Sequence, residues 1–145
     1  MVGLLSPGRG RCGYDVCFMR VRLIKNFGFE AAHHLPSFPD GHKCRRLHGH
    51  SYRVDVIVEG DVPPGRSYLI DYADIKTAFE PIRQQLDHYY LNEIEGLEDP
   101  TAEVLAKWIW DRLKPRLPLL ACIRIHETCN NASEYWGPQE EPAGG

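Results

Sequence analysis

The sequence predicts an α+β fold in which an antiparallel sheet carries two helices on one face. Two stretches near the start alternate apolar and polar residues with the period of a strand. Two central stretches repeat apolar residues with the period of a helix, and alternation returns towards the end. Strands on both sides of a helical block, in the order ββααββ, indicate a four-stranded antiparallel sheet. Its edges must be covered or paired, so we expect oligomerisation through them.

The composition is that of one soluble globular domain. The 145 residues are 43% apolar and 26% charged. The formal net charge of -3 argues against a nucleic-acid partner, and no apolar run is long enough to cross a membrane. The cysteines lack the spacing of a disulfide framework and no secretory segment is recognised, so we expect a reducing cytoplasm. They lie at positions 12, 17, 44, 122 and 129.

The two ends of the chain carry no periodic pattern. Residues 1–18 are rich in Gly and Arg, and the strand pattern starts after Met19. We expect this segment to be a disordered extension, or the result of a start site chosen upstream of Met19. The predicted organisation is therefore a single domain over 19–137, followed by a disordered tail over 138–145.

The first predicted strand ends in a histidine. His33 terminates an apolar stripe on one face, which comprises Val21, Leu23, Phe27, Phe29 and Ala31. Because successive strand side chains point to opposite faces, His34 is expected at the surface. The second strand ends near Gly60, and its apolar face continues from two histidines through Tyr52, Val54, Val56 and Val58.

The first helix is expected to start at a cap provided by Asp71 or Asp74. Apolar residues at helical spacing form its buried stripe, namely Ile75, Phe79, Ile82 and Leu86. Pro81 lies within this stripe. It should kink or divide the helix, because proline removes a hydrogen bond and clashes with the preceding turn.

The second helix is expected to start at Asp99 as N-cap, followed by Pro100 in the first turn, and to contribute Trp108 to the core. Pro115 and Pro118 should end it. A last long strand spans 120–128, where Glu127 continues the apolar face of Ala121, Ile123 and Ile125. A carboxylate in that position requires a partner. Asn130 and Asn131 then predict a hairpin into a short strand through Tyr135 and Trp136.

A metal site is indicated by Cys44, three spacer residues, and then His48-Gly49-His50. Strand alternation puts His48 and His50 on the same, apolar face. A neighbouring strand can bring His33 beside them, which gives three imidazoles. Three ligands with an open fourth position describe a catalytic zinc, whereas Cys44 as fourth ligand would make a structural one. A His-x-His pair is also common without metal, and spacing alone leaves these alternatives open.

The motifs, taken together, resemble those of the 6-pyruvoyltetrahydropterin synthase family. The resemblance covers 19–137 and comprises Phe29-Glu30-Ala31-Ala32-His33, Cys44-x-x-x-His48-Gly49-His50, Leu86-Asp87-His88, Pro100-Thr101-Ala102-Glu103 and Glu127-Thr128. It implies the tunnelling fold (T-fold) and a small-molecule pterin triphosphate, 7,8-dihydroneopterin triphosphate, as substrate. It also implies a homohexamer, a dimer of trimers with active sites shared between subunits.

The resemblance assigns roles residue by residue. His33, His48 and His50 correspond to zinc ligands, and Cys44, Asp87 and His88 to the catalytic residues. Glu127 matches the pterin anchor, while Thr101 and Ala102 fall where the family lines the pterin pocket. A zinc ion would act as a Lewis acid, a Cys44 thiolate as general base, and Asp87 would orient His88 for proton transfer. Positive charge near Cys44 could come from Lys43, Arg45 and Arg46.

The three-residue gap between Cys44 and His48 is similar to the bacterial branch of the family, which serves queuosine synthesis. That branch releases 6-carboxy-5,6,7,8-tetrahydropterin, acetaldehyde and triphosphate. The pyruvoyl-forming branch typically has a longer gap. A pyruvoyl-forming enzyme, or a non-catalytic structural-zinc module, remains the alternative at this point.

Overall fold

A computed structural model describes residues 19–128 and 130–144. The elements follow the chain as β1 (Arg20–His33), β2 (His48–Asp61), α1 (Tyr72–Leu86), β3 (Tyr89–Tyr90), α2 (Ala102–Leu113), β4 (Leu120–Thr128) and β5 (Asn131–Tyr135). Short 3-10 turns occupy Lys43–Arg45 and Leu91–Glu93. The α+β class and the order of the long elements are as predicted. The expected extension over 1–18 lies outside the described residues.

The sheet has the strand order β3-β1-β2-β4-β5. The four longer strands are antiparallel to their neighbours, as predicted. The difference from the prediction is a fifth strand, β3, which runs parallel to β1 and pairs only with Ala31 and Ala32. Two residues are too few to show a period in the sequence, so β3 could not be recognised there.

Both helices pack on one face of the sheet and bury a common apolar core. The predicted stripe of α1 is buried, and the Phe79 ring stacks on Phe27 of β1 with centroids 4.2 Å apart. From α2, Trp110 contacts Tyr135 of β5 edge to face at 5.7 Å, and Trp108 is buried as expected. Burial of such side chains stabilises the fold by about 1.5–3 kcal/mol each.

The predicted helix details have different outcomes. Of the two effects predicted for Pro81, a kink or a division, the division does not occur, because Pro81 lies inside a single run of 15 residues. The N-cap of α1 is Asp71, one of the two candidates, whose carboxylate accepts a hydrogen bond from Ala73 N at 2.8 Å. Helix α2 is capped by Thr101 rather than Asp99, because the Thr101 hydroxyl accepts from Val104 N at 3.2 Å.

The face of the sheet opposite the helices is more buried than the alternation predicts. Asp55 is 3% exposed, and its carboxylate contacts His126 at 2.9 Å, Arg124 at 3.2 Å and Arg53 at 3.3 Å. A buried carboxylate requires such partners. This cluster joins β2 to β4 on the face of the sheet opposite to that of His48 and His50. No helix in the described ranges is long and apolar enough to span a bilayer.

Candidate metal centre and active site

Three histidines meet at one end of the sheet because of the β1–β2 register. His33 pairs directly with His48, and Ala31 pairs with His50, so the three imidazoles share the face that carries the core. One ring nitrogen from each lies within 4.8 Å of the others. His33 is fully buried and the other two are half-buried. The structure therefore brings together the three residues predicted as metal ligands, in a group that could bind a metal.

Backbone carbonyls orient two of these imidazoles. His33 Nδ1 lies 3.0 Å from Pro100 O, and His48 Nδ1 lies 2.7 Å from Arg46 O. A carbonyl oxygen only accepts, so we assign the proton to Nδ1 in each ring, which leaves Nε2 with a free lone pair. The two Nε2 atoms are 3.0 Å apart. Two lone pairs at this distance repel each other unless a proton or a cation lies between them, and carbonyl-oriented imidazoles are typical of metal sites.

The electrostatics favour the neutral form of His33 and of His50. Burial, together with the neighbouring His48 and His50, lowers the pKa of His33 to about 4, although the Pro100 carbonyl offsets part of this shift. Burial and His48 also lower the pKa of His50. The neutral imidazole is the form that binds a metal, so at neutral pH protons compete weakly for these nitrogens. The donor set therefore fits a metal such as zinc.

Cys44 lies in the same cavity as the histidines. The cavity has a volume of about 430 Å³ and is lined by His33, Leu35, Lys43, Cys44, His48, His50, Glu127 and Asn131. The loop that carries Cys44 is fixed at two points, since His42 Nδ1 accepts from Cys44 N at 3.1 Å and Leu35 N donates to Cys44 O at 2.8 Å. Within the described ranges, the thiol does not join the group of three possible metal ligands.

Glu127 brings a carboxylate into this cavity from β4. Burial raises its pKa, and Glu103 in the first turn of α2 adds to the effect, while His48 opposes it. A carboxylate in this position can bind a ligand or form a structural ion pair with an arginine. Over the described residues, no lysine or arginine forms an ion pair with Glu127. Its carboxylate therefore lines the cavity without an ion-pair partner among the described lysines and arginines.

Thr101 and Ala102 lie at the start of α2. Thr101 caps the helix and Ala102, its first residue, is 9% exposed. Neither residue lines the Cys44 cavity of this chain, although Pro100, just before them, contacts His33. Their place in a pterin pocket stays a prediction.

Asp87 and His88 do not lie in the Cys44 cavity. They follow the end of α1, where Asp87 Oδ1 accepts from Glu30 N at 3.0 Å and lies 3.0 Å from His88 Nδ1. The hydrogen bond from Glu30, then His88 and Arg83, lower the pKa of Asp87. The His88 side chain is 78% exposed and lines a second cavity of about 490 Å³ that His50 also borders. A single chain therefore does not bring this pair to Cys44.

The basic residues around Cys44 do not share one role. Lys43 lines the cavity. The Arg45 guanidinium instead donates to the carbonyl oxygens of Pro36 and Phe38 and lies 3.5 Å from Asp40. Arg45 thus closes the loop before the cysteine, and this contact competes with the predicted charge stabilisation of Cys44.

His34 differs from its predicted place at the surface. It is half-buried, its ring stacks on Tyr90 at 5.9 Å between centroids, and the Tyr90 hydroxyl contacts its Nδ1. The reason is β3 and the turn that follows it, which cover this face of β1. Because β3 leaves no sequence pattern, alternation alone assigned that face to solvent.

The sequence patterns did not identify several residues that shape the site. The Tyr52 hydroxyl lies 3.1 Å from His33 Nδ1, and burial, followed by Glu127, raises the pKa of Tyr52. Its position two residues after His50 on the same face was the available signal. The carbonyl partners Pro100 and Arg46 gave none, since any residue carries that group. Leu35 and Asn131 line the cavity because of tertiary packing, which the sequence patterns do not show.

A half-buried three-histidine cluster with a cysteine and a carboxylate in one cavity defines a candidate metalloenzyme of the α+β class. Residues 22–138 match the family described as 6-pyruvoyl tetrahydropterin synthase. The chain is 40% identical over 126 residues to a 6-carboxy-5,6,7,8-tetrahydropterin synthase from Synechocystis sp., covering 83% of this chain and 96% of that relative. It is 38% identical over 134 residues to the human 6-pyruvoyl tetrahydrobiopterin synthase, covering 81% and 92%.

Among solved structures, the 6-pyruvoyl tetrahydropterin synthase of Caenorhabditis elegans superposes with a TM-score of 0.76 at 26% identity. The superposition covers 83% of this chain and 98% of that one. The chain belongs to the 6-pyruvoyl tetrahydropterin synthase family. The resemblance predicted from the motifs, the T-fold and the assignment as an enzyme of this family are confirmed.

Proposed function

We propose that the protein is a zinc-dependent lyase acting on 7,8-dihydroneopterin triphosphate. With one water, the reaction yields 6-carboxy-5,6,7,8-tetrahydropterin, acetaldehyde and triphosphate, and serves queuosine biosynthesis in the cytoplasm. The observation that carries the proposal is the presence of Cys44, the three histidines and Glu127 in one cavity. The similarity to the Synechocystis relative, which bears the name of this activity, supports it.

His33, His48 and His50 are the proposed zinc ligands. When bound, zinc supplies a Lewis acid for the hydroxyl groups of the substrate side chain. The residues contribute neutral imidazoles, two of which are oriented by backbone carbonyls. The absence of Cys44 from the ligand group of the described residues supports an open, catalytic site over a four-ligand structural one.

Cys44 is the proposed general base. Its loop is fixed by hydrogen bonds through its own backbone N and O, so the thiol is held beside the histidines before substrate binds. Lys43, next to it, lines the cavity and is the basic residue best placed to favour a thiolate. In this role Cys44 removes a proton from a carbon of the substrate side chain.

Glu127 is the proposed pterin anchor. Two carboxylate oxygens can accept a paired hydrogen bond from the 2-amino group and the neighbouring ring N-H of a pterin. The carboxylate is partly desolvated and, among the described residues, has no ion-pair partner, so a bound pterin would satisfy it. Backbone groups at Thr101 and Ala102 are proposed to complete this pocket from the start of α2.

Asp87 and His88 are proposed to act on the substrate held by a neighbouring subunit. Asp87 orients the imidazole through Nδ1 at 3.0 Å, which leaves the other ring nitrogen for proton transfer. His88 is exposed and lies outside the Cys44 cavity of its own chain. A homohexamer, a dimer of trimers that shares its sites, would bring the pair to Cys44 of another copy.

A pyruvoyl-forming activity is the second candidate, favoured by the 38% identity to the human relative. It uses the same substrate but releases triphosphate without acetaldehyde. The three-residue gap between Cys44 and His48 favours the carboxy product. The test is to incubate the zinc-loaded protein with 7,8-dihydroneopterin triphosphate and identify the pterin by mass spectrometry. We expect the carboxy product, and a pyruvoyl product would move the protein to the second candidate.

A further inference from the structure

The side chain of Asn92 joins two backbone segments next to His33. Its Oδ1 accepts a hydrogen bond from His34 N at 2.9 Å, and its Nδ2 donates to His34 O at 2.8 Å. The same Nδ2 donates to Glu98 O at 3.2 Å. A single amide therefore holds the backbone that follows His33 and the loop that follows Asn92.

Both segments determine the orientation of His33. His34 is bonded directly to His33, and Glu98 lies two residues before Pro100, whose carbonyl oxygen contacts His33 Nδ1 at 3.0 Å. The strand pairing does not extend to His34, because the pairing of β1 with β2 ends at His33 and the pairing with β3 ends at Ala32. The Asn92 amide makes there the two hydrogen bonds that a neighbouring strand would make.

The other end of the same segment is docked on β1 in the same manner. Asp87 Oδ1 accepts from Glu30 N at 3.0 Å, and His88 N donates to Glu30 O at 2.6 Å. The stretch from Asp87 to Asn92 is thus fastened at Glu30 of β1 and at His34, just after β1. Loss of the Asn92 bonds would loosen the backbone that follows His33, while His33 itself stays paired with His48.

We propose that Asn92 is a positioning residue for the metal centre. It keeps the His33 imidazole and its Pro100 carbonyl partner aligned, so that Nε2 of His33 is presented to the metal without a cost of ordering the loop. The inference rests on the proposed metal site but names a residue outside the ligand set and outside the catalytic residues. A merely structural role would be to anchor the loop without affecting the metal.

Metal binding to the full-length protein separates these two roles. Zn²⁺ affinity is measured by competition with a chromophoric chelator, and Co²⁺ reports ligand geometry through its visible absorption. For Asn92→Ala we expect metal affinity to fall about 10-fold or more, as when an outer-shell partner is lost, with altered Co²⁺ bands. The matched control is Lys114→Met, since Lys114 Nζ also bridges two carbonyls, Pro118 O at 2.7 Å and Leu120 O at 2.9 Å, at the far end of α2.

Lys114→Met should lower the melting temperature without changing metal affinity or the Co²⁺ spectrum. An Asn92→Ala protein that behaves in the same way would overturn the inference. Asn92→Asp covers the case in which Asn92→Ala does not fold, because it keeps the acceptor for His34 N and loses both donated bonds. The metal affinity of Asn92→Asp should fall between those of Asn92→Ala and Lys114→Met. An Asn92→Asp protein with the affinity and Co²⁺ spectrum of the wild type would overturn the inference. If His33→Ala binds metal as tightly as wild type, the metal centre itself is wrong.

Discussion

His33 and His48 lie directly opposite each other across the β1–β2 ladder, with their Nε2 atoms 3.0 Å apart. The Nδ1 atom of each ring is held by a backbone carbonyl, of Pro100 and of Arg46. The protein therefore presents two lone pairs to the same point before any ligand arrives. This preorganisation is what a metal centre requires and what an ordinary pair of strand histidines lacks.

Substitution of His33 should weaken metal binding, whereas substitution of the adjacent His34 should leave it unchanged. His33→Ala removes a buried imidazole from the cluster and should weaken zinc binding by more than about 100-fold, beyond the loss typical of an outer-shell partner. His34→Ala is the matched control, because its ring stacks on Tyr90 while its backbone keeps both bonds to Asn92. Equilibrium dialysis with zinc checks both, and equal affinities would contradict the assignment of His33.

Replacing the cavity cysteine should separate metal binding from catalysis. Cys44→Ala should retain zinc and lower kcat by about 10²–10⁴-fold, the usual contribution of a general base. Cys122→Ala is the control, since Cys122 is a buried free cysteine on β4 that does not line the cavity. A Cys44→Ala protein that loses its zinc and unfolds would instead indicate a four-ligand structural site.

Glu127→Gln should stabilise the ligand-free protein at neutral pH and weaken its binding of the pterin. Burial raises the pKa of Glu127 above 4.5, so the folded protein binds this proton more tightly than the unfolded chain does. The contribution of Glu127 to the stability of the wild type therefore falls as pH rises above about 4.5, and it remains reduced at neutral pH. We expect the variant to melt at a higher temperature than wild type at pH 7, without ligand, and at a similar temperature near pH 4.

The same Glu127→Gln variant should bind pterin about 10–100-fold more weakly, because hydrogen bonds to a charged group contribute about 1.5–3 kcal/mol. Zinc affinity should not change, since the carboxylate is outside the ligand group of the described residues. Isothermal titration with a non-reactive pterin measures this effect. An unchanged pterin affinity would remove the anchor role.

Mixing two inactive variants tests whether the sites are shared between chains. Cys44→Ala and His88→Ala should each be inactive alone, because one lacks the base and the other the proton-transfer partner. In mixed oligomers assembled at random from equal amounts, about one quarter of the sites should be restored. These sites take an intact Cys44 from a His88→Ala chain and an intact His88 from a Cys44→Ala chain. Activity is measured after co-expression and purification with two tags. No recovery would mean that both residues act within one chain.

The long elements and the histidine cluster were predictable because the spacing of apolar residues shows which face of a helix or strand is buried. The stripe ending at His33 and the pattern of His48 and His50 fixed both the shared face and the need for adjacent strands. The pairing of His33 with His48 then followed from the observed register, which no residue in the sequence specifies alone.

The remaining features depend on contacts that side-chain identity does not encode. Both Asp99 and Thr101 can cap a helix, and only the backbone path selects Thr101. The carbonyl of Pro100 contacts His33 and the amide of Asn92 contacts His34 across the fold, and no sequence pattern links these positions. Asp55 is buried because Arg53 and basic residues of β4 converge on it, which alternation within one strand cannot show.

The proposed reaction breaks a carbon–carbon bond in its substrate. The most direct measurement is the amount of acetaldehyde released, relative to triphosphate, when the zinc-loaded protein turns over 7,8-dihydroneopterin triphosphate. The proposed reaction predicts equal amounts of the two products, and both should form about 10²–10⁴-fold more slowly with the Cys44→Ala control. Triphosphate released without acetaldehyde, alongside a pyruvoyl pterin, would contradict it.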